Sequence, residues 1–395
     1  MTTSIVPLAE IVKELENGSR PEGGVDDSGD VFSVGGEHLN DFGNFDFSSV
    51  KLISHAFYQQ MKRGKIKPHD IIIVKDGATT GKTSFVTEQF PHFPCAINEH
   101  VFRLSIKLLL ADPKYVFYYL YSPKGNREIL DDFRGATVGG ISQDFVNKVF
   151  IPLPSLAEQH RIAGLLARAD RLRRLRRYAR ELSDTYLQSV FVEMFGYPVR
   201  NERGWEIVTL KELVRQKDTI NYGVVQPGDD YPGGVPIVRV GDFDDIPENT
   251  NNLKRIDPAI EANYKRSRLK GDEILIACVG SIGKIALIDK RLKGFNIVRA
   301  TARVPVGNSI NRLFLASYLK TQFVQDYFAK ETRTVSQPTL NIEHIEETPV
   351  PLPPFSEQER FADVVSRYER LRAQQSEAER QAEMLFQSLL AQAFA

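Results

Sequence analysis

The chain of 395 residues is poor in the residues that usually announce chemistry: it has two cysteines, one tryptophan and four methionines. Cys95 and Cys278 stand far apart with no metal-ligand spacing around either, which excludes a disulfide framework and a cysteine-based zinc site. No apolar run approaches the roughly 18 residues that suggest a membrane-spanning helix. Met1 to Glu10 contains no basic region leading into an apolar one, so no signal peptide is predicted. The seven histidines, His38, His55, His69, His92, His100, His160 and His344, are scattered and form neither a metal pair nor a nucleophile relay. A soluble protein of a reducing cytoplasm, without a catalytic or metal centre of its own, is the expectation.

Net charge is missing too, since 51 Lys and Arg balance 51 Asp and Glu. The balance hides a partition. Residues 1–46 hold 2 basic and 10 acidic side chains, whereas Lys51 to Lys82 holds 7 basic and 2 acidic, and Lys254 to Arg303 holds 12 basic and 5 acidic. Two basic stretches in a neutral chain are what a phosphate-facing surface needs.

What the chain has in abundance is repetition. Pro152-Leu153-Pro154, Glu158-Gln159, Arg161, Arg168, Leu172-Arg173, Gln188-Ser189 and Phe195 return, shifted by 199 positions, as Pro351-Leu352-Pro353, Glu357-Gln358, Arg360, Arg367, Leu371-Arg372, Gln387-Ser388 and Phe394. The preceding blocks match more weakly: the apolar run at Ile71 ahead of Gly81-Lys82 corresponds to the run at Ile274 ahead of Gly283-Lys284. Both basic stretches fall in these blocks. A period of this length is a duplicated domain pair, far above the 20–50 residues of a solenoid repeat. The predicted organisation is a block over 1–150, a helical segment over 151–198, a second block over 199–350 and a second helical segment over 351–395.

Each repeated segment opens on prolines that should end any preceding strand. Ser155 and Ser356 then stand as helix N-caps with Glu158 and Glu359 at capping-box spacing. In the second helix Phe361, Val364, Tyr368, Leu371, Gln375, Ala378, Ala382, Leu385 and Leu389 follow a heptad seam, and in the first Ile162, Leu165, Ala169, Leu172, Arg176, Ala179, Ser183, Tyr186 and Val190 do so. About 40 residues at a rise of about 1.5 Å make a rod near 60 Å long. Residues 151–198 carry 8 basic and 5 acidic side chains and residues 351–395 carry 5 and 7, opposite excesses that favour pairing with each other. An antiparallel coiled coil with a globular block at each end is predicted. The run of arginines from Arg168 to Arg180 is either a solvated face bridging to the partner helix or a strip for DNA phosphates or an acidic protein.

Two motifs tempt and fail. Asp76-Gly77-Ala78-Thr79-Thr80-Gly81-Lys82-Thr83 resembles a nucleotide-binding P-loop, which needs four residues between its glycines, and here three intervene. In the second copy Gly280 and Gly283 are closer still, so a glycine turn between two strands is predicted in both. Asp112-Pro113-Lys114-Tyr115 resembles the base-holding motif of amino-methyltransferases but lacks the second proline, and a helix start at Pro113 accounts for it.

Taken together, Pro-Leu-Pro, Glu-Gln and a long helix, twice, each after a strand-rich block of about 150 residues, resemble the specificity subunit of type I restriction-modification enzymes. The stretch Gln188-Ser189-Val190-Phe191-Val192-Glu193-Met194-Phe195-Gly196-Tyr197-Pro198, leading into Gly204-Trp205-Glu206-Ile207-Val208, is similar to that family's junction between the first helix and the second recognition domain. The resemblance covers essentially the whole chain. It implies a mixed α/β fold with two β-rich target recognition domains in pseudo-two-fold arrangement, joined by an antiparallel coiled coil. It implies a non-catalytic, DNA-binding subunit of the prokaryotic cytoplasm, with no cofactor of its own. Each domain would read one half of an asymmetric bipartite site in double-stranded DNA, and the helices would fix the gap. Two methyltransferase subunits would dock on the helices and a motor-nuclease subunit could join, so S-adenosylmethionine and ATP belong to those partners. A fused type II-like methyltransferase-nuclease, or a coiled-coil adaptor that binds no DNA, are the alternatives.

The candidate phosphate contacts are Lys62, Arg63, Lys65 and Lys67 in the first block and Tyr264, Lys265, Arg266 and Arg268 in the second, where polar clusters interrupt the apolar pattern. Candidates for base reading are Arg239, Arg299, Arg303 and Gln337, or His38, Asn98, His100 and Gln143. Ile162, Leu165, Leu172, Tyr186, Phe361, Val364, Tyr368, Leu371 and Leu385 are the candidates for the coiled coil and partner docking.

Overall fold

The computed structural model describes residues 4–21, 29–135, 139–184, 186–198, 200–243, 252–332 and 338–394. It divides into two compact units, Met1–Tyr178 with Glu377–Ala395, and Ala179–Ser376. The first unit runs β1 (Ser4–Pro7), α1 (Leu8–Ile11), β2 (Val12–Asn17), β3 (Val31–Val34), β4 (Leu52–Ile53), α2 (His55–Gln60), β5 (Ile71–Val74), β6 (Thr83–Phe85), β7 (Cys95–Ile97), β8 (Val101–Ile106), α3 (Pro113–Tyr121), α4 (Pro123–Leu130), α5 (Phe145–Lys148), β9 (Phe150–Leu153) and most of α6 (Leu156–Asp184). The second continues with α7 (Tyr186–Phe195), β10 (Glu206–Thr209), β11 (Asn221–Tyr222), β12 (Val235–Val238), β13 (Arg255–Ile256), α8 (Pro258–Glu261), β14 (Ile274–Ala277), β15 (Ile285–Leu287), β16 (Asn296–Ile297), β17 (Thr301–Val304), α9 (Arg312–Leu319), α10 (Gln322–Thr332), α11 (Ile342–Glu346), β18 (Pro349–Leu352) and the first half of α12 (Phe355–Phe394).

Both units have the same sheets. In the first the strand orders are β2-β8-β5-β6, β4-β3-β7 and β1-β9; in the second they are β11-β17-β14-β15, β13-β12-β16 and β10-β18. The four-stranded sheet is antiparallel, and β3 with β7 and β12 with β16 supply one parallel pair per unit.

The central strand explains the layering. Side chains alternate across a strand, and β5 is buried along its whole length. Ile71 and Ile73 enter the core shared with α3, α4 and α6, while Ile72 and Val74 join a second core with Val34 and Ile97 of the other sheet and Val101 of the neighbouring β8. In the second unit Ile274 and Ile276 face the helices, and Leu275 and Ala277 face Val238 and Ile297. An apolar run with no polar alternation is what a strand covered on both faces requires.

The repeated Glu-Gln finds its reason in this frame. Gln159 is fully buried; its Oε1 accepts the N–H of Asp112 at 2.9 Å and its Nε2 donates to Pro154 O at 2.8 Å. Gln358 does the same for Asn311 N–H at 2.7 Å and Pro353 O at 2.8 Å. Asp112 and Asn311 are the N-caps of α3 and α9, so one amide welds the start of each long helix to the start of a core helix. The phenylalanines repeated at the ends of the long segments are core residues: Phe394 meets the Tyr115 ring at 5.3 Å in the first unit, and Phe195 meets Phe314 at 4.9 Å in the second.

Three expectations are corrected. The prolines of Pro-Leu-Pro do not stop a strand: Pro152 and Pro351 lie in β9 and β18, opposite Ile5 and Ile207. Each sits in a two-stranded ribbon, where an edge position tolerates the missing N–H. Ser356 is not a cap, because α12 begins at Phe355 and Glu357 N–H bonds to Pro354 O; the counterpart of Ser155 is Pro354. The heptad seam is only partly right. Phe361, Tyr368 and Ala382 are buried and Ile162, Leu165 and Val364 half-buried, but Leu172 is 39% exposed, Tyr186 52%, Leu371 49% and Leu385 46%.

The reason is that each helix changes partner along its length. In the first unit Ala163, Leu166 and Ala169 of α6 and Phe386, Leu390 and Phe394 of α12 belong to the core of the recognition block. Helix-to-helix contact there is polar: Arg173 Nη1 reaches Glu383 at 3.3 Å and Arg177 Nε reaches Glu379 at 3.4 Å. In the second unit Gln375 Nε2 donates to Ser183 Oγ at 3.1 Å, and the Tyr186 and Tyr368 rings stack 6.2 Å apart. Within each unit, advancing along α6 and α7 retreats along α12, so the helices are antiparallel.

Candidate nucleic-acid interface

Arg303, on β17, is 1% exposed, with its guanidinium on Glu273 at 3.1 Å and on Asp218. It braces the sheet and cannot face DNA. Its counterpart is Arg103 on β8, which lies opposite Ile72 of β5 as Arg303 lies opposite Leu275 of β14. Arg103 holds Asp70 at 2.5 Å, Glu16 at 2.7 Å and Glu14 at 3.1 Å. Burial alone would raise Asp218, yet its bonds to Arg303 and Lys270 hold the carboxyl below the usual range. The sequence contained a signal for this pair, an arginine inside an apolar strand in both copies, which surface reasoning overlooked.

The two basic stretches occupy equivalent places. Ser54 caps α2 and Asp257 caps α8, each accepting a backbone N–H with its side chain, and the chain then turns. Lys62 and Arg63 are exposed after α2, and Lys265 and Arg266 are exposed in the 3-10 turn Ala262–Ser267 after α8. Their neighbours are less available. Lys65 sits 4.8 Å over the Tyr58 ring, and Tyr264 packs with Val224 and Ile256. Arg268 is forked on Glu261, with Nε at 2.8 Å, and that pairing holds the Glu261 carboxyl below its usual range. Arg266 also donates to Thr219 Oγ1 at 3.0 Å, and Lys67 keeps an exposed side chain.

Beyond the end of β5 the chemistry of the two units diverges. In the first, His100 Nδ1 lies 2.6 Å from Asp76 and Nε2 lies 3.4 Å from Glu99. Lys75 bridges to Asp76 at 3.3 Å, and Arg20 to Glu99 at 2.7 Å. In the second, Arg299 is exposed and Arg239 is half-exposed beside Asp242 at 3.4 Å. Asn98 is buried and its Oδ1 accepts the N–H of His100, while Gln143 is exposed before α5. His38 is fully buried, with Nδ1 accepting Gly35 N–H at 2.8 Å, which removes it as a base reader. Burial pushes its pKa down. Gln337 lies outside the described residues.

The P-loop look-alike is a hairpin turn, as its spacing implies. Gly81 N–H bonds to Val74 O and Gly283 N–H to Ala277 O, both at 2.9 Å, closing the β5-β6 and β14-β15 ribbons. Positive φ at Gly77 and Gly81, and at Gly280 and Gly283, makes glycine the natural residue at each corner. The cysteines carry no chemistry either: burial pushes both thiols up to about 12. Among the described residues no cluster of three His, Cys, Asp or Glu could hold a metal ion, and no helix is long and apolar enough to cross a membrane.

The described residues form a duplicated α/β unit with long antiparallel helices and an exposed basic turn in each copy. The chain belongs to the type I restriction modification DNA specificity domain family, whose model matches residues 5–180 and again 202–383. It is 29% identical over 362 residues to the type I restriction enzyme EcoBI specificity subunit of Escherichia coli, covering 83% of this chain and 73% of that protein. It is 25% identical over 378 residues to the StySPI specificity subunit of Salmonella potsdam, covering 89% and 79%. Its fold matches the crystal structure of the type I restriction-modification S subunit from M. genitalium with a TM-score of 0.63 at 16% identity, over 100% of this chain and 96% of that one.

Proposed function

We propose that each unit reads one half of an asymmetric, bipartite DNA site, that the long helices set the gap between halves, and that the helices dock two methyltransferase subunits. Its family role is DNA recognition, with catalysis on other subunits of a type I restriction-modification complex. S-adenosylmethionine and ATP are used by those subunits, a motor-nuclease subunit can join, and the complex works in the prokaryotic cytoplasm. The observation that carries the reading is a common frame with unlike edges: Lys62-Arg63 and Lys265-Arg266 recur at the same turn, while His100 with its carboxylates faces no counterpart but Arg239 and Arg299. Shared cations suit phosphates, which carry no sequence information, and unlike polar groups suit base edges. The half-buried groove formed by Leu182, Tyr186, Val364, Arg367, Tyr368 and Leu371 in the second unit supports docking on the helices.

The test is to map modified bases by single-molecule sequencing in the native host with the gene intact and deleted. Loss of adenine methylation at one gapped, asymmetric motif is expected. An unchanged methylome, with the neighbouring methyltransferase expressed, would refute the reading.

A further inference from the structure

The hairpin turns left over from the failed P-loop match have a property that neither the sheet nor the core explains. In both units the turn is built to one plan although its length differs by a residue. Lys82 N–H bonds to Thr79 O at 3.0 Å, and Lys284 N–H to Ser281 O at 3.1 Å, so Thr79 and Ser281 occupy the same place at the apex. Both are exposed. Each turn is also tied down from outside: Asn126 Nδ2 of α4 donates to Gly81 O at 2.8 Å, and Gln325 Nε2 of α10 donates to Gly283 O at 3.0 Å. Thr80 Oγ1 further locks the first turn on Gly77 O at 2.7 Å.

Within this rigid frame successive backbone N–H groups have no acceptor among the described residues: Ala78 and Thr79 in the first unit, Val279, Gly280 and Ser281 in the second. Consecutive N–H groups without a protein acceptor, beside an apical hydroxyl, are donors that an anion's oxygens can accept from. In the first unit the apex borders an open groove of about 370 Å³ whose lining includes Asn40, Asp41, Thr79, Lys82 and Asn126, with Lys82 paired to the Asp41 carboxylate at 2.7 Å.

The geometry points to a sequence-independent contact with a DNA backbone phosphodiester at each hairpin apex, made by Thr79 with the N–H groups of Ala78 and Thr79, and by Ser281 with those of Gly280 and Ser281. The decisive consideration is that the plan is common to both units. A device shared by two domains that read different bases must be indifferent to sequence, and the phosphate is the part of DNA that is the same everywhere. The inference rests on the DNA-recognition reading above.

The experiment measures binding of the full chain to a duplex carrying the methylated motif and to a scrambled duplex. Thr79→Asp and Ser281→Asp place a carboxylate in the donor set; each should weaken both duplexes by the same factor, about 10-fold or more, leaving the preference between them unchanged. Thr79→Ser should bind as the parent does. Should an aspartate variant melt at a lower temperature, the near-isosteric Thr79→Val with Ser281→Ala decides, expected to lose about 3-fold on both duplexes. A changed base preference at either half-site would overturn the inference by making the apex a base reader. Unchanged affinity would overturn it too, as would displacement of DNA by magnesium-ATP beyond that of equal ionic strength, which would mark a nucleotide site. If the parent chain prefers neither duplex, the recognition reading itself has failed.

Discussion

Glu99 of the first unit and Arg299 of the second stand at the same point of the same fold, one residue before the carbonyl that receives the N–H following β5 or β14. Around the first lie Asp76, His100 and Arg20, and around the second the edge carries Arg239 and Asp242. Beneath this contrast everything repeats: the strand order, the buried arginine, the glutamine that welds two helix starts, and the tethered hairpin. The comparison separates two jobs of one sequence. Residues common to both units hold the frame, and on the proposed function the remaining shared ones would meet what is common to all DNA while residues peculiar to one unit would carry its specificity.

The comparison breaks most sharply at the buried arginines. Arg103→Met and Arg303→Met each remove a guanidinium and strand the acids around it, Asp70 and Glu16 in one unit, Glu273 and Asp218 in the other. Removing one partner of a buried ion pair costs about 3–5 kcal/mol. Calorimetry of the two variants should show a transition lowered by a similar amount in each. A loss in one variant alone would mean that the shared frame is not energetically shared.

Next come the glutamines. Gln159→Ala leaves the N–H of Asp112 without its acceptor, and Gln358→Ala does so for Asn311. A buried donor left unsatisfied costs about 1–3 kcal/mol, so both variants should unfold at lower denaturant concentration, and by similar amounts, with unchanged m-values.

A feature of the first unit gives a pH-dependent difference. Asp132 is buried, and although burial opposes its charge, Lys148 at 2.5 Å and the Ser142 hydroxyl at 2.6 Å hold its carboxyl far below the usual aspartate range. Its folded pKa lies beneath its unfolded one, so its stabilisation is fully present above that value and fades as pH falls through it. The gap in melting temperature between the parent and Asp132→Asn should stay constant from about pH 7 to pH 5 and narrow below about pH 4.

How much of this was legible follows from how local each signal is. The duplication, the two basic turns, the glycine hairpins and the start of α3 at Pro113 are written in adjacent residues, and the structure has them where the sequence implies. Arg303 and His38 were misplaced because burial is decided by partners distant in the chain, Asp218 and Glu273 for the one and the surrounding β3 layer for the other. The purpose of Glu-Gln was invisible for the same reason, since the bond it makes spans 47 residues in each copy. The seam failed differently. A heptad assumes one partner along the whole helix, and here the partner is a recognition-block core near the ends and a sister helix between.

That failure supplies the smallest effect and a clean discrimination. On a continuous heptad Leu371→Asp would bury a carboxylate and unpair the helices. Leu371 is 49% exposed, so the substitution should shift stability by no more than about 0.5 kcal/mol, while Phe386→Ala, at a position fully buried in the first unit, should cost about 3–5 kcal/mol. Leu371 also borders the groove beside Tyr186 and Tyr368. If that groove receives the methyltransferase, Leu371→Asp should leave the melting temperature of the free chain unchanged and still reduce co-elution with the methyltransferase in size-exclusion chromatography. Phe386→Ala should do the reverse at a temperature where the variant remains folded. Loss of both properties together in Leu371→Asp would restore the continuous seam and remove the exposed groove from the docking surface.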